Sequence, residues 1–318
     1  EIYTLSLHDA LPILASNRVY ARLTTVLAGS PADRCGLSRG DFIGMIDGNR
    51  LTTSNGANLE KGKSRTLVRS VLGVNMETQE FVWARHDTLL MEPSERVTDV
   101  AFSPVHQYSV GEKTVAYLQC NKMSASAAEI QSLMVQVEAT NAWALVLDLR
   151  LCNDGDFETA RLLASYLISE DHANETFANI IYRKNQEHKN QSYGFDASAV
   201  ARSLSVRKLY VITSSNTVGA AEWMIHGVRA VEDNDFVTVV GTVSDGQNVI
   251  TEALSGVDYY VTLHPVVAYI THAKGRTDSY AIEPDVPVNE NEYADLFPYG
   301  DVREVVLAEI LNLIGEDE

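Results

Sequence analysis

The chain of 318 residues is poor in three features, and each scarcity excludes a class of protein or site. Its only cysteines, Cys35, Cys120 and Cys152, have no CxxC spacing, so the sequence predicts neither a disulfide framework nor a zinc site. Lysine and arginine number 25 against 43 aspartates and glutamates, and the net charge of −18 disfavours nucleic acid and anionic membranes as partners. No apolar run approaches the roughly eighteen residues that span a bilayer.

Motifs for metals, dinucleotides and nucleotide phosphates are also missing. The chain contains no HExxH, GxGxxG or GxxxxGK pattern, and its 8 histidines lack ligand spacing. We therefore predict no metal and no cofactor. The 45% hydrophobic content is sufficient for a full core, with room for a small domain beside a larger one.

The first residues have an unusual origin. Residues 1–13 read in frame as the translation of a widely used sequencing-adapter oligonucleotide, and the leftover base fits Leu14. We expect residues 1–14 to be an assembly artefact that is dispensable for folding. The alternative, part of a signal peptide, lacks a basic start and a clear small-residue cleavage site.

The most informative segment is residues 208–228, KLYVITSSNTVGAAEWMIHGV. Residues 209–213 form a short β-branched run typical of a buried strand, residues 214–217 form a polar turn, and a helical pattern starts at Val218. A sharp turn of this kind aims backbone N–H groups and the positive end of a helix dipole at whatever binds there, which suits a developing oxyanion.

This segment resembles the serine motif of the C-terminal processing peptidases (tail-specific proteases) of the PDZ-containing type, which runs roughly TSSxTASASE. Four further blocks are similar to that family in the same order. They are GSPADRCGLSRGDFIGMIDG (residues 29–48, PDZ-like), VAYLQCNKM (115–123), LVLDLRLCNDG (145–155), and residues 263–288 with LHPVV and EPDVPV. The resemblance covers nearly all of the chain from about Tyr20 onward.

The resemblance implies a set of active-site positions that this chain does not fill. The nucleophilic serine falls on Gly219, and the general-base lysine of a GxxxxGK turn falls on Gln247, an amide with no usable basicity. The oxyanion-hole positions fall on Ala220 and on Asp154, where the family has the first glycine of a pair. A carboxylate at that place would repel a developing negative charge.

Two functional hypotheses follow from the resemblance. In the first, the chain is a catalytically inactive member that binds peptide or protein C-terminal tails. In the second, it is an active serine endopeptidase in which Ser214 or Ser215 replaces the missing nucleophile; in ordinary turns such hydroxyls bond to neighbouring backbone groups. The resemblance also implies a location in the bacterial cell envelope.

We predict an α/β fold with a small PDZ-like, β-rich domain at residues 15–75 and a layered α/β peptidase-like core at residues 76–318. Expected elements of the first domain are a strand at 23–28, a helix start at 31–35, a hairpin around Asp47-Gly48, and a strand pair at 66–72 and 81–86. In the core we expect helices at 125–139, 157–168 and 302–314, and strands at 144–149 and 209–213. Residues 171–203 are expected to be a surface excursion overhanging the site, or a tolerated loop of no function.

Overall fold

The computed structural model describes residues 19–52, 54–56, 62–74, 81–97, 100–256, 261–275, 280–293 and 295–317. The chain divides into two compact units. The first extends to Asp99 and includes Asn291–Val305, and the second comprises Val100–Glu290 and Val306–Glu318. Residues 1–14, the expected artefact, lie outside the described residues.

In its described residues, the first unit is an antiparallel sheet with one short α-helix, α1 (Pro31–Arg34). Its strands are β1 (Ala21–Arg22), β2 (Phe42–Ile46), β3 (Asn49–Arg50), β4 (Arg65–Val74) and β5 (Phe81–Met91). The order is β1-β2-β4-β5, with β3 on β2. The hairpin is confirmed: Asp47 and Gly48 have φ of 49° and 77°, as a tight two-residue turn requires.

One predicted strand of this unit is wrong in its bounds. The predicted domain boundary between residues 75 and 76 lies outside the described residues; β5 pairs with β4 along its length, and the first compact unit extends to Asp99. The strand expected at 23–28 is replaced by β1, which ends at Arg22. Beyond it, the Thr24 carbonyl accepts from Arg39 Nε (2.9 Å), so a side chain takes the place of a neighbouring strand.

In the residues that the structure describes, the second unit contains two larger sheets, a two-stranded ribbon and five α-helices. The remaining strands are β6 (His106–Val110), β7 (Lys113–Gln119), β8 (Ala144–Asp148), β9 (Thr176–Tyr182), β10 (Gln191–Gly194), β11 (Lys208–Thr213), β12 (Val237–Gly241), β13 (Val249–Thr251), β14 (Leu254–Gly256), β15 (Val261–Leu263), β16 (Val266–His272) and β17 (Val286–Pro287). The helices are α2 (Ala127–Glu138), α3 (Phe157–Leu167), α4 (Ala197–Val200) and α5 (Ala220–Val231), and α6 (Val305–Glu316) ends the chain. The expected α/β class is confirmed.

The six-stranded sheet brings three loops to one edge. Its order is β17-β12-β11-β8-β7-β6, and all of its pairs are parallel except β6 with β7. Ile212 pairs with Asp148, and Thr213 pairs with Gly241, so neighbouring strands end at the same level. Because parallel strands present their carboxyl ends at one edge, the loops after β8, β11 and β12 leave the sheet together.

The prediction for residues 171–203 is wrong. They form β9, β10 and α4, and β9 pairs with both β10 and β16 in a second sheet of order β10-β9-β16-β13. Phe177 is fully buried in the main core, and Phe195 and Val200 are buried beside it. Gly227 of α5 leaves room for the Phe177 ring, since a Cβ there would lie 2.4 Å from it. Because the segment is rich in Asn, Gln and Lys, the sequence gave no indication that these apolar residues are buried in the core.

Candidate functional site: the turn before the fifth helix

The turn between β11 and α5 is held in place by hydrogen bonds that involve side-chain hydroxyl groups. The Ser214 N–H donates to Thr217 Oγ1 (2.9 Å), and the Thr217 hydroxyl donates to the carbonyl of Leu149 (2.9 Å), in the loop after β8. The N–H of Val218 donates to the Cys152 carbonyl (3.0 Å) in the same loop. These bonds hold the turn against the loop that also carries Asp154.

Gly219 is the last residue before α5, which begins at Ala220. Its φ of 56° and ψ of −104° lie in a region that residues with a side chain rarely adopt. Sharp strand-to-helix turns with strained backbone present the residue at the turn away from the sheet, which is how some hydrolases expose a nucleophile. The backbone of Gly219 has this arrangement without a side chain.

Gln247 lies directly beside Gly219. A Cβ built on Gly219 would be 2.9 Å from Gln247 Oε1 and 3.8 Å from the ring of Trp223. The Gln247 carbonyl accepts from Trp223 Nε1 (3.0 Å). Two positions separated by 28 residues in sequence are therefore in contact, and the side chain that faces Gly219 is an uncharged amide.

Glu222 holds Gly219 and the loop after β12 together. This carboxylate is fully buried. One oxygen accepts from the N–H groups of Gly219 (2.9 Å) and Gln247 (2.8 Å), and the other accepts from the Gly246 N–H (2.6 Å) and the Ser244 hydroxyl. Burial raises the pKa of Glu222 above its ordinary value, although the four donors work in the opposite direction.

Asp154 is exposed, in the loop after β8. Its Oδ1 accepts from the N–H of Gly155 (2.8 Å), the next residue, and its carbonyl accepts from the Met123 N–H (2.8 Å). The Asp154 carboxylate therefore accepts a hydrogen bond from one of the loop's backbone N–H groups. Ala220, the other predicted oxyanion position, is buried as the first residue of α5.

The base of this loop is fixed by a buried ion pair. Asp148 accepts from Arg150 Nη2 (2.6 Å) and from the Tyr117 hydroxyl (2.8 Å), and Arg150 Nη1 donates to Glu290 (2.5 Å). Burial opposes ionisation of Asp148, but the Arg150 charge and these hydrogen bonds outweigh it, and the pKa of Asp148 is lowered. The carboxylate is consequently charged at neutral pH.

Ser214 and Ser215 differ as alternative nucleophiles. The Ser214 hydroxyl donates to the Arg150 carbonyl (2.8 Å) and accepts from the Asn216 N–H (3.0 Å), which is a structural role in the turn. Ser215 is exposed. The GLSRG stretch at residues 36–40 also fits a GxSxG pattern, but it follows α1 rather than a strand, so it lacks the strand-turn-helix context of that motif.

Three aromatic side chains near the turn were not identified from the sequence. Phe157, at the start of α3, has its ring centroid 4.8 Å from Tyr193 and 6.2 Å from Trp223. All three rings are partly exposed. Tyr193 belongs to the segment that was expected to be a loop, and Phe157 lies three residues after Asp154, so only the fold brings the three together.

Neither a metal centre nor a spanning helix is found in the part of the chain that the structure describes. Within the described ranges, no group of three or more His, Cys, Asp and Glu side chains is placed to hold a metal ion. No helix among the same residues is long and apolar enough to cross a membrane.

A model of peptidase family S41 matches residues 114–288, which include Asp154, Gly219 and Gln247. The chain is 26% identical over 301 residues to a carboxyl-terminal-processing protease of Picosynechococcus, covering 92% of this chain and 66% of that protein. It is 26% identical over 297 residues to the protein of that name from Synechocystis, covering 90% and 64%. The chain thus spans slightly less than two thirds of these relatives.

Solved structures agree at the level of the fold. A crystal structure of a Bacteroides fragilis protein designated an S41 protease superposes with a TM-score of 0.83 at 24% identity, covering 98% of this chain and 82% of the other. A photosystem II D1 C-terminal processing protease superposes with a TM-score of 0.53 at 16% identity, covering 95% and 74%.

Proposed function

Because the chain belongs to peptidase family S41, we propose that it is a non-hydrolytic member that binds peptide or protein C-terminal tails. The observation that carries this proposal is the contact between Gly219 and Gln247. By resemblance to the family, these are the positions of the nucleophile and the general base. They lie side by side, but glycine has no nucleophile and an amide cannot accept the proton.

The surroundings of Gly219 favour retained binding. The rings of Phe157, Tyr193 and Trp223 offer a partly exposed apolar surface next to the turn, and aromatic side chains supply much of the energy of peptide recognition. Trp223 is held in place by its hydrogen bond to the Gln247 carbonyl. Gln247 therefore contributes to a binding surface although it cannot act as a base.

We propose that the first unit is PDZ-like and contributes a second contact to a tail. It has a cavity of about 260 Å³, in which the ring of Tyr20 stacks on Trp83 at 3.9 Å between centroids. Arg50 and Arg85 also line the cavity. An apolar wall beside two guanidinium groups fits an apolar C-terminal residue and its carboxylate.

Fluorescent peptides that differ only at the C-terminus test this function. We expect peptides ending in an apolar residue with a free carboxylate to bind, measured by anisotropy, and their amidated forms to bind more weakly. Trp223→Ala should weaken binding, while Trp143→Ala, at a tryptophan that contacts Lys113 and lies elsewhere in the second unit, should not. Failure of every tail to bind would contradict the binding proposal.

Hydrolysis is measured on the same peptides and on an unstructured protein substrate. No cleavage is expected beyond that of a mock purification. Cleavage that persists through further purification and is abolished by Ser215→Ala or Ser214→Ala would instead establish the alternative, an active serine endopeptidase with displaced residues.

We propose a location in the bacterial cell envelope, by analogy with the family. Fractionation of the source organism, with detection of this chain in the periplasmic and membrane fractions, tests this location. Recovery in the cytoplasmic fraction alone would contradict it.

A further inference from the structure

The two cysteines of the second unit face each other beside the candidate site. Cys120 directly follows β7, and Cys152 lies in the loop after β8. β7 and β8 are parallel neighbours in which Gln119 pairs with Asp148. The Cys120 N–H donates to the Asp148 carbonyl (2.9 Å), and the two Sγ atoms are 3.7 Å apart.

We propose that Cys120 and Cys152 are joined by a disulfide when the chain folds in an oxidising compartment. A disulfide requires an S–S distance of about 2.05 Å, so the sulfur atoms must approach by less than about 2 Å. One of the two partners lies in a loop, where a small adjustment does not break a strand. The sequence spacing of the two cysteines gave no indication of this pair, because only the fold places the end of β7 beside the loop after β8.

The oxidant is a small disulfide such as glutathione disulfide. One cysteine thiolate attacks it, forming a mixed disulfide and releasing one glutathione thiolate, and the second cysteine then displaces the other glutathione. In total, two protein thiols lose two electrons and two protons, and one glutathione disulfide becomes two glutathione thiols.

Oxidation should occur during folding rather than afterwards. Both cysteine side chains are fully buried in the folded chain. Burial and the neighbouring thiol raise the pKa of Cys120 well above its ordinary value, so the reactive thiolate is scarce there. A chain folded under reducing conditions should therefore keep both thiols, and one folded under oxidising conditions should lose both.

The bond would act on the candidate site through Cys152. The Cys152 carbonyl accepts from the Val218 N–H, one residue before Gly219, and Asp154 is two residues further along the same loop. A disulfide would anchor this loop to the end of β7. The proposal is independent of whether the site binds or cleaves peptides, because its readout is the state of the thiols.

The test compares chain refolded with glutathione disulfide with chain refolded in dithiothreitol, by counting thiols after denaturation. Three thiols are expected after reducing refolding and one, that of Cys35, after oxidising refolding. The Cys35→Ser variant should fall from two thiols to none and lose two hydrogen masses. Cys120→Ser and Cys152→Ser should each keep two thiols under both conditions.

A second measurement avoids refolding. The chain is exported to the periplasm of a bacterial host, and the cells are quenched with acid and then denatured in the presence of an alkylating reagent, so that buried thiols are labelled as well; only Cys35 should be labelled. Three free thiols after either route, stable glutathione adducts, or a bond that involves Cys35 would overturn the proposal. In the Cys35→Ser variant, the oxidised form should also melt at a higher temperature than the reduced form.

Discussion

At the residue scale, the contact between Gly219 and Gln247 makes restoration of catalysis a two-residue problem. Gly219→Ser supplies a hydroxyl whose proton Gln247 cannot accept, and Gln247→Lys supplies a base without a nucleophile. We expect both single variants to be inactive and the double variant to gain slow hydrolysis of an unstructured protein, with labelling by a serine-reactive sulfonyl fluoride. The effects of substituting catalytic residues that act together are strongly non-additive, and inactive single variants with an active double variant are the pattern that this predicts.

Backbone strain must be separated from chemistry in that experiment. At φ of 56°, any side chain at position 219 is expected to cost about 1–3 kcal/mol of stability. Gly111→Ser is the matched control, because Gly111 has φ of 58° with open space around its Cβ position. Activity in Gly219→Ser alone would mean that a base other than residue 247 serves the turn.

Glu222 provides a second prediction at this scale. Each carboxylate oxygen of Glu222 accepts two hydrogen bonds. In Glu222→Gln, an NH₂ group replaces one of these oxygens, and this group is itself a donor that faces two other donors. Leaving buried donors unpaired should lower the free energy of unfolding by about 2 kcal/mol or more.

Glu129→Gln is the control for this substitution. Glu129 is also the third residue of a helix, and it accepts from the backbone and hydroxyl of Ser126, but at the surface. We expect its replacement to cost less than about 1 kcal/mol in urea unfolding. Equal losses in the free energy of unfolding at the two positions would show that the burial of Glu222 does not determine the cost of replacing it.

At the scale of elements, the segment from β9 to α4 tests how the core is built. Phe177→Ala removes a fully buried ring that packs on Gly227 and lies 5.5 Å from Phe157 between centroids. We expect a loss of about 3–5 kcal/mol in the free energy of unfolding. Ile181→Ala on the same strand, at a side chain that is 40% exposed, should cost less than about 1 kcal/mol. Comparable small losses would support the loop that the sequence had indicated.

Local patterns predicted the elements that carry their own signals. The strand-turn-helix at Gly219 and the Asp47-Gly48 hairpin follow from β-branched runs, helical spacing and turn residues, and both are confirmed. Phe177 lies in a segment rich in polar residues, so its role in the core depends on long-range pairing with β16 that no local pattern reports. The Glu222 contacts were missed for the same reason, although a glutamate three residues after a helix start is a capping signal.

At the scale of the whole molecule, the family match and the candidate site lie in the second unit. The S41 model covers residues 114–288, whereas the cavity lined by Tyr20 and Trp83 is in the first unit. Substitutions in each unit can therefore assign tail binding to one unit or to both. Trp83→Ala and Trp223→Ala are the appropriate pair.

The stability of the whole chain should depend on a partly buried histidine. His226 in α5 stacks against His272 at 5.5 Å between centroids, and its Nε2 is 2.8 Å from the Tyr280 carbonyl. Burial lowers the pKa of His226 to about 4, and the nearby His272 and Arg229 act in the same direction. Between about pH 6.5 and pH 4, the unfolded chain binds a proton that the folded chain excludes, so stability is complete above this range and falls as the pH decreases.

We expect His226 to account for a loss of roughly 3 kcal/mol between pH 7 and pH 4, measured by urea unfolding. His226→Phe keeps an aromatic ring but cannot titrate, so its stability should decline less steeply over this range, whatever its constant cost. Glu222 contributes in the opposite direction, because its raised pKa makes the folded chain bind the extra proton, but that contribution is common to both proteins and cancels in the difference. Parallel profiles for the wild type and His226→Phe would show that His226 titrates alike in the folded and unfolded chains.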